Sequence, residues 1–170
     1  MAVEAAPLLW SAFTAKAELL GAAVIRTSSQ ETAIGLLSEA AKSYVCTASV
    51  AARFPRVAAG ATRTTDNVAV EVVAPGEFAV AETGSVAVNE PAEDRARCFL
   101  AERLWLLVSE GALATTLDEG LRRIGELIRD GAPHPVLMSG PSRTADIERV
   151  LTIGVHGPRT LVIVVVGSPR

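Results

Sequence analysis

Aromatic residues are scarce in this chain, at only 4% of its 170 residues, whereas hydrophobic residues as a whole make up 49%. A core must therefore be built from Ala, Val, Leu and Ile, as is typical of a buried parallel sheet flanked by helices. A chain of this length buries enough surface to fold without disulfides or metals. We expect one domain over residues 1–170.

Cysteine is equally scarce. Cys46 and Cys98 lie far apart, and neither belongs to a CxxC motif or to a Cys/His cluster with zinc or iron–sulfur spacing. We interpret both as buried thiols and expect no metal site.

Blocks of basic residues and long apolar runs are also missing. The net charge is −3 without any Lys/Arg-rich block, which argues against binding to nucleic acid. The longest strongly apolar run, Leu161 to Val166, is far shorter than the roughly 18 residues of a membrane span. Glu4 stands near the start, where a secretory signal has basic residues. We expect a soluble, cytoplasmic protein.

What is present is an alternation of strands and helices, which predicts an α/β domain with a largely parallel sheet flanked by helices. The segment 68–108 interrupts the alternation with closely spaced strands, so we expect a small added β-hairpin region there. Possible capping boxes at Ser28–Glu31 and Thr116–Glu119 open two of the helices. Strands are predicted at 22–26, 44–47, 68–73, 86–88, 104–108, 136–138 and 161–166, and helices at 11–20, 29–42, 117–130 and around 147–151. The strand at 161–166 is apolar on both faces and should be central in the sheet. The helix at 117–130 is indicated by the spacing of Leu117, Leu121, Ile124 and Ile128.

The loop 139–144 is dense in small and polar residues and follows a short apolar strand. We expect it to lead into a helix, whose N-terminal N–H groups and dipole favour anions. Arg143 can hold a carboxylate or phosphate through two N–H groups, although Thr144 and Asp146 also fit an ordinary helix cap. The candidate substrate-binding residues here are Ser139, Gly140, Ser142, Arg143, Thr144 and Asp146.

A second polar turn contains Glu82, Thr83, Gly84 and Ser85. Glu82 is a candidate catalytic base or nucleophile, and the other three are candidate substrate-binding residues. The alternative is a tight turn in which Glu82 pairs with an arginine. His156, between two glycine-bounded turns, is the other candidate catalytic residue, or it fixes the turn through a backbone hydrogen bond.

The two polar loops follow or precede predicted strands. Because such loops gather at the carboxyl edge of an open α/β sheet, we expect 82–85 and 139–144 to converge on one pocket there, with His156 close by.

The runs SGPSRTADIE (139–148) and GVHGP (154–158) closely resemble the C-terminal signature of the LUD-domain family, in its lactate-utilisation protein C branch. AVAETGSVAV (79–88) resembles the second signature of that family. The resemblance implies a Rossmann-like fold of the NagB/RpiA/CoA-transferase group. It also implies a role in oxidising L-lactate to pyruvate, beside iron–sulfur partner proteins that carry the clusters. No cofactor is expected on this chain.

One stretch departs from the family pattern. Many relatives have a Ser-Leu-Leu-Pro-Pro-x-His-type run where this chain has RCFLAERL (97–104). Two hypotheses therefore stay open. The chain is a subunit of a lactate-utilisation system, or it is a stand-alone small-molecule-binding or transferase-like enzyme acting on a carboxylate or phosphorylated ligand.

Overall fold

The structure, a computed structural model, describes residues 2–41, 43–61, 70–145, 151–153 and 157–167, with backbone alone at 2–5, 143–145 and 151–153. The helices are α1 (Ala2–Leu19), α2 (Gln30–Ala40), α3 (Ala48–Arg53), α4 (Pro55–Ala59), α5 (Ala92–Leu100) and α6 (Leu117–Arg129). The strands are β1 (Ala23–Thr27), β2 (Val45–Cys46), β3 (Glu71–Pro75), β4 (Phe78–Val80), β5 (Ser85–Val88), β6 (Arg103–Ser109), β7 (Leu113–Ala114), β8 (Val136–Met138), β9 (Arg143–Ala145), β10 (Leu151–Ile153) and β11 (Thr160–Val166).

A five-stranded parallel sheet in the order β1-β11-β6-β3-β2 forms the centre of the fold. Strand β11 lies between β1 and β6. Its side chains alternate between two hydrophobic cores, with Ile163 in one and Val164 in the other. This confirms the prediction that the uniformly apolar run 161–166 lies inside the sheet, since such a strand must be covered on both faces.

The two faces of the parallel sheet are covered differently. Helices α2, α3 and α4 cover one face around Leu37, Val50 and Val57. Helices α1 and α5 cover the other face together with a second sheet, in the order β7-β4-β5-β8. The outer side of this second sheet packs against α6 through Ile124 and Leu127. The α/β class, the parallel sheet and the added β region are thus confirmed.

The second sheet is built around the antiparallel hairpin β4–β5. Strand β8 extends it in antiparallel pairing with β5, in the register Val86↔Met138. The sequence predicted a hairpin in this part of the chain but placed the strand at 136–138 with the parallel strands. That assignment was wrong, because a strand of three residues carries no local sign of its partner.

One helix was missed, and two local predictions fail. Helix α5 was missed because only Asp94 and Cys98 of its residues are buried, so its apolar periodicity is weak. The capping box of α2 uses Ser29 and Thr32 rather than Ser28 and Glu31. The prediction of a helix around 147–151 is wrong at residue 151, because 151–153 form strand β10, which pairs with β9 in antiparallel orientation.

Within the described ranges, no helix is long and apolar enough to cross a bilayer.

Candidate functional site

The two polar loops meet, although their residues lie far apart in the sequence. The Oγ atoms of Ser85 and Ser139 are 2.7 Å apart, and Ser85 Oγ donates a hydrogen bond of 2.8 Å to Thr83 Oγ1. Ser85 is buried, whereas Ser139 is exposed. The contact joins three hydroxyl groups into one hydrogen-bonded chain, with the buried Ser85 between the half-buried Thr83 and the exposed Ser139.

Two glycines with a left-handed backbone allow this contact. Gly84 has φ 68° and Gly140 has φ 74°. A Cβ on Gly84 would lie 2.5 Å from the backbone nitrogen of Ala17, and a Cβ on Gly140 would lie 2.5 Å from the carbonyl oxygen of Leu20. Both loops therefore pack on the end of α1 at a distance that only glycine permits.

The two loops meet at the amino end of the parallel sheet, so the prediction that they meet at its carboxyl edge is wrong. Its neighbours Leu20, Phe99 and Pro158 come shortly before β1, β6 and β11. The expectation failed because β5 and β8 belong to the antiparallel sheet, so the ends of these strands do not follow the parallel-sheet rule.

Residues 143–145, expected as the end of the polar loop and the cap of the following helix, form strand β9 instead. The first turn expected for that helix, from residue 146, lies outside the described residues. Arg143 and Thr144 are described by their backbone alone, whereas Asp146 and His156 lie outside the described residues.

Ser85 and Ser139 are called the hydroxyl pair below. A cavity of about 480 Å³ opens beside this pair and is lined by Ser139. Ser142 closes one part of its wall, because its backbone N–H donates a hydrogen bond of 2.9 Å to the carbonyl oxygen of Pro158. Phe99 belongs to the stretch 97–104 that departs from the family pattern. The residues lining the cavity are Leu20, Phe99, Val136, Leu137, Met138, Ser139, Gly140, Pro141, Ser142, Gly157 and Pro158.

Glu82 lies on the turn before Ser85, but its carboxylate points to α6. Its Oε2 accepts a hydrogen bond of 2.7 Å from the backbone N–H of Leu117, the first residue of that helix. The interaction satisfies an N–H group that has no partner inside the helix and places negative charge at the positive end of the helix dipole. Among the side chains that the structure describes, Glu82 thus has a helix-capping contact and no arginine partner.

At the carboxyl end of the parallel sheet lies a buried polar cluster that the sequence did not reveal. Glu90 is only 1% exposed. Its Oε1 accepts a hydrogen bond of 3.2 Å from Thr47, which directly follows β2, and its Oε2 accepts one of 2.9 Å from Ser49. The neighbouring Asp94 accepts a hydrogen bond of 2.8 Å from the backbone N–H of Ala48 and forms a salt bridge of 2.9 Å with Arg97.

Burial raises the pKa of Glu90 to about 7, and the nearby charges of Asp94 and Glu77 act in the same direction. The hydrogen bonds from Ser49 and Thr47 oppose the change but do not cancel it. Only the tertiary structure brings these residues together, since Thr47 and Glu90 lie on different strand–helix connections and form no motif.

The cysteines show no sign of reactivity. Cys98 is buried and Cys46 is half-buried, so the prediction of two buried thiols is correct for Cys98 and too strong for Cys46. Burial raises the pKa of the Cys46 thiol to about 12, and the pKa of the Cys98 thiol is raised further for the same reason. In the part of the chain that the structure describes, no group of three His, Cys, Asp or Glu residues is placed to hold a metal ion.

Two curated relatives match about half of this chain. Lactate utilization protein C of Deinococcus radiodurans is 37% identical over 91 residues, which are 52% of this chain and 42% of that protein. Lactate utilization protein C of Geobacillus thermodenitrificans is 32% identical over 98 residues, which are 55% of this chain and 41% of that protein. The matches therefore span only about two fifths of each relative.

A solved structure resembles the whole fold. The crystal structure of a DUF162 family protein from Deinococcus radiodurans superposes with a TM-score of 0.68 and covers 95% of this chain and 98% of that chain, at 22% identity. The sequence model of the LUD domain family matches residues 73–166, which are more than half of the chain and include both polar loops, 82–85 and 139–144. The chain therefore belongs to the LUD domain family.

Proposed function

We propose that the chain acts in lactate utilisation, as a subunit of a system that oxidises L-lactate to pyruvate. The observation that carries the proposal is the contact between Ser85 and Ser139, because it unites the two loops that resemble the family signatures. Family membership and the names of the relatives support the same role.

In this proposal, the substrate is a small carboxylate or another anion held beside the hydroxyl pair. Hydroxyl groups donate hydrogen bonds to carboxylate oxygens, and glycines let the backbone approach a ligand closely. Arg143 would add a charge-assisted pair of hydrogen bonds. The proposed binding residues are Thr83, Gly84, Ser85, Ser139, Gly140, Ser142, Arg143, Thr144 and Asp146.

Oxidation of lactate to pyruvate releases two electrons and two protons. We assign acid–base work to His156 or Glu82, and we assign the electrons to iron–sulfur partner proteins, as the family resemblance implies. For Glu82, this role requires release of the bond to Leu117 or use of the second carboxylate oxygen.

The test is genetic complementation in the native host. A strain lacking the gene should grow poorly on L-lactate as sole carbon source, and the wild-type chain should restore growth. A Ser85→Ala/Ser139→Ala variant should not restore growth, whereas Ser11→Ala, an exposed serine on α1, should do so.

Affinity purification from the same host should recover cysteine-rich iron–sulfur proteins. Growth of the deletion strain at the wild-type rate on lactate would overturn the proposal. Full rescue by the double serine variant would remove the hydroxyl pair from the mechanism.

A further inference from the structure

The cavity beside the hydroxyl pair is large for lactate. At about 480 Å³, it has room for about 16 water molecules of ~30 Å³ each. L-Lactate has three carbon and three oxygen atoms and fills a minor part of this space. The volume falls in the range of sites that hold larger organic ligands, roughly 300–1,000 Å³.

The walls of the cavity are mainly apolar. The apolar side chains that line it include Leu20, Phe99, Val136, Leu137 and Met138. None of the lining residues that the structure describes is charged. Water in such a space gains few hydrogen bonds, so an apolar ligand that displaces it is stabilised by the hydrophobic effect.

The hydroxyl groups among the described lining residues come from one loop. Ser139 and Ser142 both belong to the loop after β8. A ligand with an apolar body and one polar head group matches this arrangement, with the body against Phe99 and Met138 and the head near the serines.

We propose that the cavity binds the acyl chain of a medium-length carboxylic acid or acyl derivative, with its carbonyl group at Ser139 and Ser142. The inference uses Ser139 and Ser142 of the proposed substrate site, but it does not rest on the role in lactate utilisation. The free acid and a neutral derivative, such as an amide or thioester, share this chemistry.

Titration calorimetry on the purified full chain tests the proposal. Butanoate, hexanoate and octanoate form one series, and the corresponding amides form a second. Affinity should rise by roughly fourfold for each added methylene in at least one series. Preference for the amides would identify a neutral acyl derivative, and preference for the acids would identify a free carboxylic acid.

Two neighbouring leucines provide a matched pair of variants. Leu20 is 37% exposed and lines the cavity, whereas Leu19 is 77% exposed and does not. Leu20→Asn should weaken binding of the preferred eight-carbon ligand by roughly tenfold, and Leu19→Asn should change it less than about twofold.

Val136→Phe provides a second variant in case Leu20→Asn does not fold. It keeps the wall apolar but fills the cavity, so octanoyl ligands should lose affinity relative to butanoyl ligands. Melting curves of each variant establish that it is folded. No saturable binding of either eight-carbon ligand, affinity independent of chain length, or equal losses for Leu19→Asn and Leu20→Asn would overturn the proposal. Since these measurements use neither lactate nor partner proteins, their outcome is separate from that of the growth experiment.

Discussion

Glu90→Gln should make the protein more stable at neutral pH and change how its stability depends on pH. In the folded chain, burial raises the pKa of this carboxyl from an ordinary value of 4.5 to about 7. Between these two values, the folded protein binds a proton that the unfolded chain has released. The contribution of Glu90 to stability is therefore complete below about pH 4.5 and is lost as the pH rises to about 7.

The size of the effect follows from the two pKa values. A difference of about 2.5 pKa units at ~1.4 kcal/mol each gives a loss of about 3 kcal/mol between the ends of this interval. Glutamine has nearly the same shape and does not ionise. Its carbonyl oxygen can accept the hydrogen bond from Thr47, and its amide can donate to the Oγ of Ser49, so both contacts are kept with the direction of the Ser49 bond reversed.

Urea denaturation between pH 4.5 and pH 8 measures this difference. The free energy of unfolding of Glu90→Gln should be close to the wild-type value at the acidic end and about 3 kcal/mol higher at pH 8. Glu39→Gln, at an exposed position on α2, is the control and should follow the wild-type curve. If the Glu90→Gln curve runs parallel to the wild-type curve across this range, the buried carboxyl does not ionise as described and the reasoning is wrong.

Three further predictions test the packing and the proposed site. Gly84→Ala should lower the free energy of unfolding by about 2 kcal/mol or more, because alanine is strained at this positive φ and its Cβ would collide with the backbone of α1. The control Gly125→Ala, where a Cβ meets nothing within 4 Å, should raise it by up to about 1 kcal/mol. An unchanged stability of Gly84→Ala would show that α1 moves aside. Thr116→Ala should cost about 1 kcal/mol, because the threonine accepts the N–H of Glu119 at the start of α6; an unchanged denaturation midpoint would mean that water replaces this cap. Arg143→Lys should weaken binding of a small anion while the melting temperature stays constant, since lysine lacks the planar pair of donors; a lower melting temperature with unchanged affinity would assign the arginine a structural role.

Local patterns in the sequence identified most of the regular elements. The apolar run 161–166 predicted an interior strand, and the repeat of Leu117, Leu121, Ile124 and Ile128 predicted α6 near its true bounds. The residues of that helix that pack on the second sheet are Ile124 and Leu127, whereas Leu121 and Ile128 are exposed. Periodicity therefore located the helix but did not fix which of its apolar residues are buried.

The candidate site was predictable in part. The two polar loops were identified from composition and resemblance, and the contact between Ser85 and Ser139 brings them together. The loop after β8 was expected to open a helix, but it leads into β9. A short polar segment is compatible with either structure, so pairing with a distant strand decided the outcome.

The sequence by itself determined the α/β class, the interior position of β11 and the two glycine-containing loops, because hydrophobic period, β-branched content and turn residues act over a few neighbouring positions. Only the tertiary structure decided that β8 pairs with β5, and hence that the loops meet at the amino end of the parallel sheet. Likewise, nothing local to Glu90 shows that it is buried beside Thr47 and Ser49. Strand partners and buried polar contacts depend on residues far away along the chain, and their effect appears only once the layers have packed.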